Sequence, residues 1–461
     1  MKILIIDNLT ETFNGTLVKS GLQRSSKLDA QGFSKLGYDT TYIFCGNIDD
    51  IYQYKKISVD DYGAKERAVV EGKSPKQSSM YIKQYLNRIS KELNSADYII
   101  AHCHSSGMIT GVNNLVRDKK ILFVVHDVVD LMWANGFSGA VRKMRESGRN
   151  YCYVGTNSQY SINRLNQIST RGGDNIYSGD EGFDGYIKHF VWTDVKPTLD
   201  DVQNVGDTSA VIGRYEPNKY HHKLYNYNNT NHKIVHYGVK DERRDIDLKY
   251  YNRLVSSAND YKENLSDEKL WDCIKSSRSI ILPCFHEGFG YTAFEAGIFG
   301  VVPVVLVKDN EHATTEYLTR VGVKHFSADF GDESAIYNTI DESLNVTVED
   351  RIDISSKLLS YFSVENYVNN RIELMNCAKK VSNTETSLEK FMEYTLGRYM
   401  AKCENLEPPR EGLIRQEIIS YEEDKKGMIT IRRAIRHYYA DGEDFLDTTH
   451  SEPLTTWGTK K

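Results

Sequence analysis

Two glutamates, Glu287 and Glu295, stand seven residues apart inside the stretch 279–307, SIILPCFHEGFGYTAFEAGIFGVVPVVLV. Glu287 lies in the glycine-punctuated segment His286-Glu287-Gly288-Phe289-Gly290. Glu295 lies about a turn into the segment that follows. Free backbone N–H groups in such a loop, and the N-terminus of a helix after it, suit a phosphate or a sugar oxygen. Upstream, Gly213-Arg214-Tyr215-Glu216-Pro217-Asn218-Lys219 places two cations just past an apolar run. His126-Asp127 closes another apolar run, 120–125. A histidine–carboxylate cluster in a cleft can accept a proton from a hydroxyl. Each feature also has a plainer reading. Glu295 could complete a capping box with Thr292. Glu287 could be a solvated loop carboxylate, Arg214 and Lys219 surface cations, and His126-Asp127 a locally bonded turn.

The elements that must carry these residues follow from hydrophobic periodicity. Ser279–Pro283 and Val301–Val307 read as buried strands, with a helix from Thr292 to Phe299 stopped by Gly300. Ligands of such a parallel strand–loop–helix–strand unit bind beyond the carboxyl ends of the strands. The N-terminal half repeats the pattern: a strand at 2–7, a polar loop, a helix from Gly21 to about Lys35 and a strand at 40–44. Gly21 stands where that first loop meets its helix. No G-x-G-x-x-G occurs, so a dinucleotide is not indicated. Further strands are expected at 97–101, 120–127, 153–158, 188–192, 209–214 and 233–238, and a weak one at 326–328. Helices are expected at 80–93, 265–276, 314–320, 332–344, 348–361 and 364–378.

Composition sets the class. The chain has 461 residues, 40% hydrophobic and 26% charged, and can build substantial cores over two to three domains. The net charge of −6 gives no global signal for nucleic acid. Seven cysteines without a C-x-x-C point to reduced thiols and a cytoplasmic location, not a disulfide framework or a zinc site. No apolar run reaches membrane-span length, so stable membrane insertion is not expected. His102 and His104 would point to opposite faces of a strand, a poor spacing for a metal. Asp245-Ile246-Asp247, flanked by Arg243 and Arg244, reads as a solvated turn.

Taken together, Glu287-Gly288-Phe289-Gly290 with Glu295, the closing Gly300 and Pro303, and G-R-x4-K upstream resemble retaining glycosyltransferases of the GT-B architecture. The resemblance covers roughly residues 1–400; the tyrosine after Lys219 replaces the family's usual glycine. It implies an α/β fold of two Rossmann-like domains facing across a cleft. The expected division is an acceptor-side domain at 1–195, a linker at 196–207, a nucleotide-sugar domain at 208–380, and helices crossing back plus a C-terminal helical extension at 381–461. The crossing helix would be 364–378 or 386–403, and 429–439 reads as an extra helix.

The same resemblance implies a nucleotide-diphosphate sugar, taken as a UDP-sugar, as co-substrate, with no cofactor and no metal. Arg214 and Lys219 would neutralise the diphosphate as the sugar–phosphate bond breaks. Glu295 would hold the ribose and Glu287 the sugar. Backbone amides of Phe289, Gly290 and Tyr291, with Thr292, would supplement them. Gly21 would lie near the donor phosphates, and His126 or Asp127 near the incoming hydroxyl. Retention without a dedicated nucleophile implies front-face attack, the leaving phosphate taking the proton.

For the acceptor, the flavour of the chain is similar to phage enzymes that glycosylate 5-hydroxymethylcytosine in DNA, the alpha-glucosyltransferases and arabinosyltransferases. That implies double-stranded DNA as partner, an infected host cell as setting, and basic clusters near the cleft. The candidates are Arg142/Lys143/Arg145, His221/His222/Lys223, Arg243/Arg244 and Arg432/Arg433/Arg436. The alternatives are a transferase for surface polysaccharide or lipid-linked glycan, and a non-catalytic binding module on the same fold.

Overall fold

The computed structural model describes residues 1–7, 12–13, 16–17, 21–44, 53–58, 86–103, 106–126, 140–156 (without 142 and 146), 158, 185–187, 197–203, 206–215, 219–239, 245–257, 260–284, 287–308, 312–378, 380, 413–425, 428–439 and 444–458. The chain folds as two compact units, 1–165 with 179–384, and 166–178 with 385–461.

The larger unit holds two parallel sheets. The first consists of β1 (Lys2–Ile6), β2 (Asp39–Phe44), β3 (Lys55–Ser58), β4 (Tyr98–Cys103), β5 (Lys120–Val125), β6 (Tyr151–Thr156) and β7 (Gly185–Tyr186). Its spatial order is β3-β2-β1-β4-β5-β6-β7, every pair parallel. The second consists of β8 (Thr208–Ile212), β9 (Lys233–Gly238), β10 (Asp260–Glu263), β11 (Ser279–Leu282), β12 (Val302–Val307) and β13 (Phe326–Asp329). Its order, β10-β9-β8-β11-β12-β13, reproduces the same winding, again all parallel. Parallel strands covered on both faces must be apolar throughout, which is why β12 is buried at all six positions. Each sheet reverses its winding direction between its first and fourth strands, β1/β4 and β8/β11. In open parallel sheets ligands bind at such a reversal, beyond the carboxyl ends of the strands.

Five helices position the sites: α1 (Gly21–Lys35), α2 (Tyr291–Ile298), α3 (Ala313–Val321), α4 (Val348–Tyr361) and α5 (Val364–Asn376). Behind α2, Phe294 stacks on Phe289 with ring centroids 4.4 Å apart, and Tyr317 and Phe362 meet them edge-on. Phe294 is fully buried, so truncating it to alanine would cost about 3–5 kcal/mol. Arg351 of α4 donates to the carbonyls of Gly300 and Arg278, at 3.2 and 3.1 Å. It thus holds the turn between α2 and β12 to the entry of β11. α5 returns to the first sheet: Asn376 Oδ1 accepts from Tyr98 and from Lys120, both at 3.0 Å. Of the two segments expected to cross back, 364–376 does so, and 386–403 lies outside the described residues.

The smaller unit is built differently from the expectation. Residues 429–439, expected as a helix, lie in β15 (Met428–Tyr439), the central strand of an antiparallel sheet with β14 (Leu413–Lys425) and β16 (Asp444–Gly458). The β-branched Ile429, Thr430 and Ile431 and the pair Tyr438-Tyr439 favour a pleated strand, and neighbours of 13 and 15 residues override the weak helical pattern. Two smaller expectations also change. Asp245-Ile246-Asp247 opens a helix, Asp245–Ser257, and is no turn. The strand expected at 188–192 lies outside the described residues, whereas Gly185–Tyr186 forms the edge of the first sheet.

Candidate functional site

The second sheet's crevice collects the charged motif residues. Arg214 follows β8, and Glu287 follows β11, the strand hydrogen-bonded beside it. Lys219 Nζ donates to Glu287 Oε1, with both side chains three-quarters covered. Burial pulls the Lys219 ammonium down, but the Glu287 carboxylate outweighs it and holds the lysine charged above its ordinary range, while Arg214 pulls weakly the other way. The Lys219 stem runs 3.6 Å from where a Cβ on Gly213 would stand, so this lysine lies against the segment that carries Arg214. Two cations beyond a strand end are the kind of group that holds a phosphate.

The loop that carries Glu287 is braced from behind. His312, the N-cap of α3, accepts from Thr314 N at 3.0 Å through Nδ1, so its Nε2 carries the proton donated to Cys284 O at 2.9 Å. Thr314 Oγ1 donates to Phe289 O at 2.8 Å. Gly290 caps α2 at φ 78°, and a Cβ there would collide with Thr314 and with Leu282 Cδ2, the latter at 2.8 Å. Only glycine takes this left-handed turn without strain while letting the loop lie on α3.

α2 starts at Tyr291 with no side-chain cap. The capping-box reading of Thr292 and Glu295 is therefore overturned, since Thr292 sits inside the helix. Glu295 is instead paired with Arg24 of α1. Tyr291 hydrogen-bonds Ser25 of the same helix, and burial pushes its hydroxyl far up. The Phe289 ring belongs to the aromatic core, so this residue has only backbone to offer a ligand. Gly21 is the first residue of α1, three residues before Arg24.

The first sheet's crevice contains a cluster that the sequence did not announce. His126, just past β5, lies beside β4, its N–H donating to Cys103 O at 2.9 Å. Its Nε2 is 3.0 Å from Nδ1 of His102, whose Nε2 is 2.7 Å from Asp29 Oδ2. Arg371 Nε donates to Asp29 Oδ1 at 3.0 Å, and its Nη2 to the Tyr367 hydroxyl at 3.2 Å. Asp29, His102 and Arg371 are 0% exposed. Asp127, the expected neighbour of His126, lies outside the described residues, and so does His104. His102 is wholly interior. A carboxylate at Asp29, flanked by Leu28 and Ala30 and four residues before Phe33, was the one available signal.

The basic clusters fare unevenly. Arg145 is buried and donates to Cys152 O at 3.1 Å. His221 is buried against His236, with the two Nδ1 atoms 3.0 Å apart. Neither belongs to a basic surface. Arg142, Arg243 and Arg244 lie outside the described residues. Among the described residues, no group of three or more His, Cys, Asp or Glu side chains could hold a metal ion, and no helix is long and apolar enough to cross a membrane.

No family model and no curated protein matches the chain. Solved structures do. Sucrose-phosphate synthase from Thermosynechococcus elongatus superposes with a TM-score of 0.60 at 11% identity, over 82% of this chain and 98% of that one. The trehalose-6-phosphate protein of E. coli bound with UDP-2-fluoro glucose gives 0.54 at 11%, over 82% and 98%. Trehalose-6-phosphate synthase, studied for glycosyl transfer with retention, gives 0.56 at 10%, over 82% and 99%. At such identities the likeness is one of fold, and the fold that the chain shares with them is the two-domain GT-B architecture.

Proposed function

We propose that the chain is a retaining glycosyltransferase that takes its sugar from a nucleoside diphosphate, with a UDP-sugar as the first candidate. The observation that carries this reading is the pairing of Lys219 with Glu287 beside Arg214, at the carboxyl ends of β8 and β11. Two cations there would hold the diphosphate and stabilise the charge that develops on it as the glycosidic bond breaks. Glu287 would accept from sugar hydroxyls and Glu295 from the ribose. Backbone amides at Phe289, Gly290 and Tyr291 would add neutral donors, with Thr292 beside them. Because the positive charge comes from side chains, a metal is not required by this chemistry. Residues 208–380 would hold the donor. Residues 1–195 would present the acceptor, with His126, and Asp127 next to it, near the incoming hydroxyl. The solved neighbours that bind UDP-2-fluoro glucose and transfer with retention support the same reading.

The finer reading is transfer of glucose or arabinose to 5-hydroxymethylcytosine in DNA. It rests on the sequence resemblance, and the burial of Arg145 and His221 removes part of the basic surface it called for. Nucleotide release from UDP-glucose, UDP-arabinose and GDP-mannose tests both levels, with hydroxymethylated DNA, plain DNA, a sugar phosphate or buffer as acceptor. Release that needs modified DNA establishes the finer reading. Release that needs the sugar phosphate replaces that acceptor. No release with any donor refutes the transferase and leaves a binding module.

A further inference from the structure

α1 and α5 enclose a continuous buried chain of polar groups, Tyr367–Arg371–Asp29–His102–His126, that ends at the first sheet's crevice. We infer that Asp29 and His102 are positioning residues that fix the ring orientation of His126 and the proton on its Nε2. The inference deepens the reading of His126 as the group near the incoming hydroxyl and rests on it for its catalytic consequence.

The protonation pattern follows from donor and acceptor counting. Arg371 is always charged and contacts Asp29 directly, so Asp29 is ionised and can only accept. Burial alone would raise the Asp29 carboxyl, but the Arg371 guanidinium and the bond from His102 outweigh it and hold it below its ordinary range. The Asp29–Arg371 pair is then neutral overall, and a third buried group beside it stays uncharged. His102 accordingly carries a single proton, and that proton must lie on Nε2, facing the Asp29 carboxylate. Its Nδ1 is left as an acceptor. Among the described residues, the nitrogen facing that acceptor is Nε2 of His126, which must therefore donate. His126 thereby carries a proton on Nε2, and its ring is held in one orientation. A carboxylate that orients one imidazole through another fixes which nitrogen of the outer ring faces inward and donates. The four-residue spacing of Tyr367 and Arg371 on α5 brings both onto the Asp29 side of the helix. The helix that crosses back to the first sheet thus supplies the countercharge without which Asp29 could not stay ionised in the interior.

The test uses the full chain labelled with 15N-histidine. Long-range 1H–15N spectra distinguish a protonated from an unprotonated ring nitrogen, and the signals of 102 and 126 are identified by loss in single variants. Both residues are expected to show a protonated Nε2, and His102 a bare Nδ1. Two variants separate positioning from packing. His102→Gln keeps a donor for Asp29 and an acceptor for His126, whereas His102→Met keeps volume alone. In the methionine variant the His126 nitrogens should average between tautomers. With substrates, kcat should fall by about tenfold to a hundredfold with donor KM unchanged. The glutamine variant should restore both readouts at an equal melting temperature. An unchanged His126 spectrum in His102→Met, or a bare Nε2 on His126 in the parent chain, overturns the inference. The spectra need no substrate, so ordered tautomers in a chain that transfers no sugar uphold the relay while refuting the transferase.

Discussion

Arg24 of α1 and Glu295 of α2 form an ion pair that joins a helix packed on the first sheet to the helix that follows the glycine loop of the second. Glu295 is 8% exposed and Arg24 42%. The carboxylate is therefore a fixed feature of the site, and the guanidinium is the partner that can swing away.

This pair predicts opposite effects for its two members. If Glu295 holds ribose hydroxyls, Arg24 competes with the nucleotide for it. Glu295→Ala should weaken nucleotide binding by about tenfold to a hundredfold, the value of hydrogen bonds to a charged acceptor. Arg24→Ala should leave affinity the same or tighter. Calorimetric titration with UDP reads both, and an Arg24→Ala loss as large as that of Glu295→Ala would count against the competition.

Lys219→Met removes one of two cations and leaves the Glu287 carboxylate three-quarters covered with no ammonium beside it. Stability should fall by about 1–3 kcal/mol in urea melts. Donor binding should fall further than in Arg214→Met, because Glu287, released from Lys219, then faces the diphosphate as a like charge.

Gly290→Ala forces φ 78° on a residue with a Cβ and drives that Cβ against Thr314 and Leu282. The expected cost is about 1–3 kcal/mol for the backbone alone. Thr314→Ser retains the bond to Phe289 O and should be nearly silent in the same thermal melts.

Stability should decline as pH falls from 6.5. Burial holds His236 down at about 4, and burial is also the largest cause of the depression of His102, His221 and His312. Each binds fewer protons folded than unfolded, so its contribution is complete above 6.5 and disappears as pH drops through the folded value. For His236 the gap between 6.5 and about 4 is worth about 3 kcal/mol. Asp29, whose carboxyl is also depressed, adds a loss only below about 3.8. Urea midpoints should be level from pH 7.5 to about 6.5 and fall from there to 4, less steeply in His236→Asn.

Much of this molecule is written locally. The helix Gly21–Lys35 and the helix Val348–Tyr361 have the bounds that apolar spacing and caps assign them, and β11, α2 and β12 differ from expectation by a residue or two. Fully apolar strands between glycine turns can only be interior parallel strands, so the α/β class was legible. The apolar runs that end at Ile212 and Leu282 put Arg214 and Glu287 shortly past strand ends.

Tertiary structure decided what those residues touch. Glu295 pairs with Arg24, 271 positions earlier, and Asp29 with Arg371, 342 positions later. No local spacing encodes such partners, since they arise only when separate helices pack. The same holds for β15, whose strand identity was settled by its neighbours β14 and β16 over a helix-like reading of its own residues. Sequence alone determined the apolar strands and capped helices of the larger unit and the order of charged motifs. Only the packing of α1 and α5 against the sheets determined which charges neutralise one another, because burial makes an unpaired charge too costly to keep.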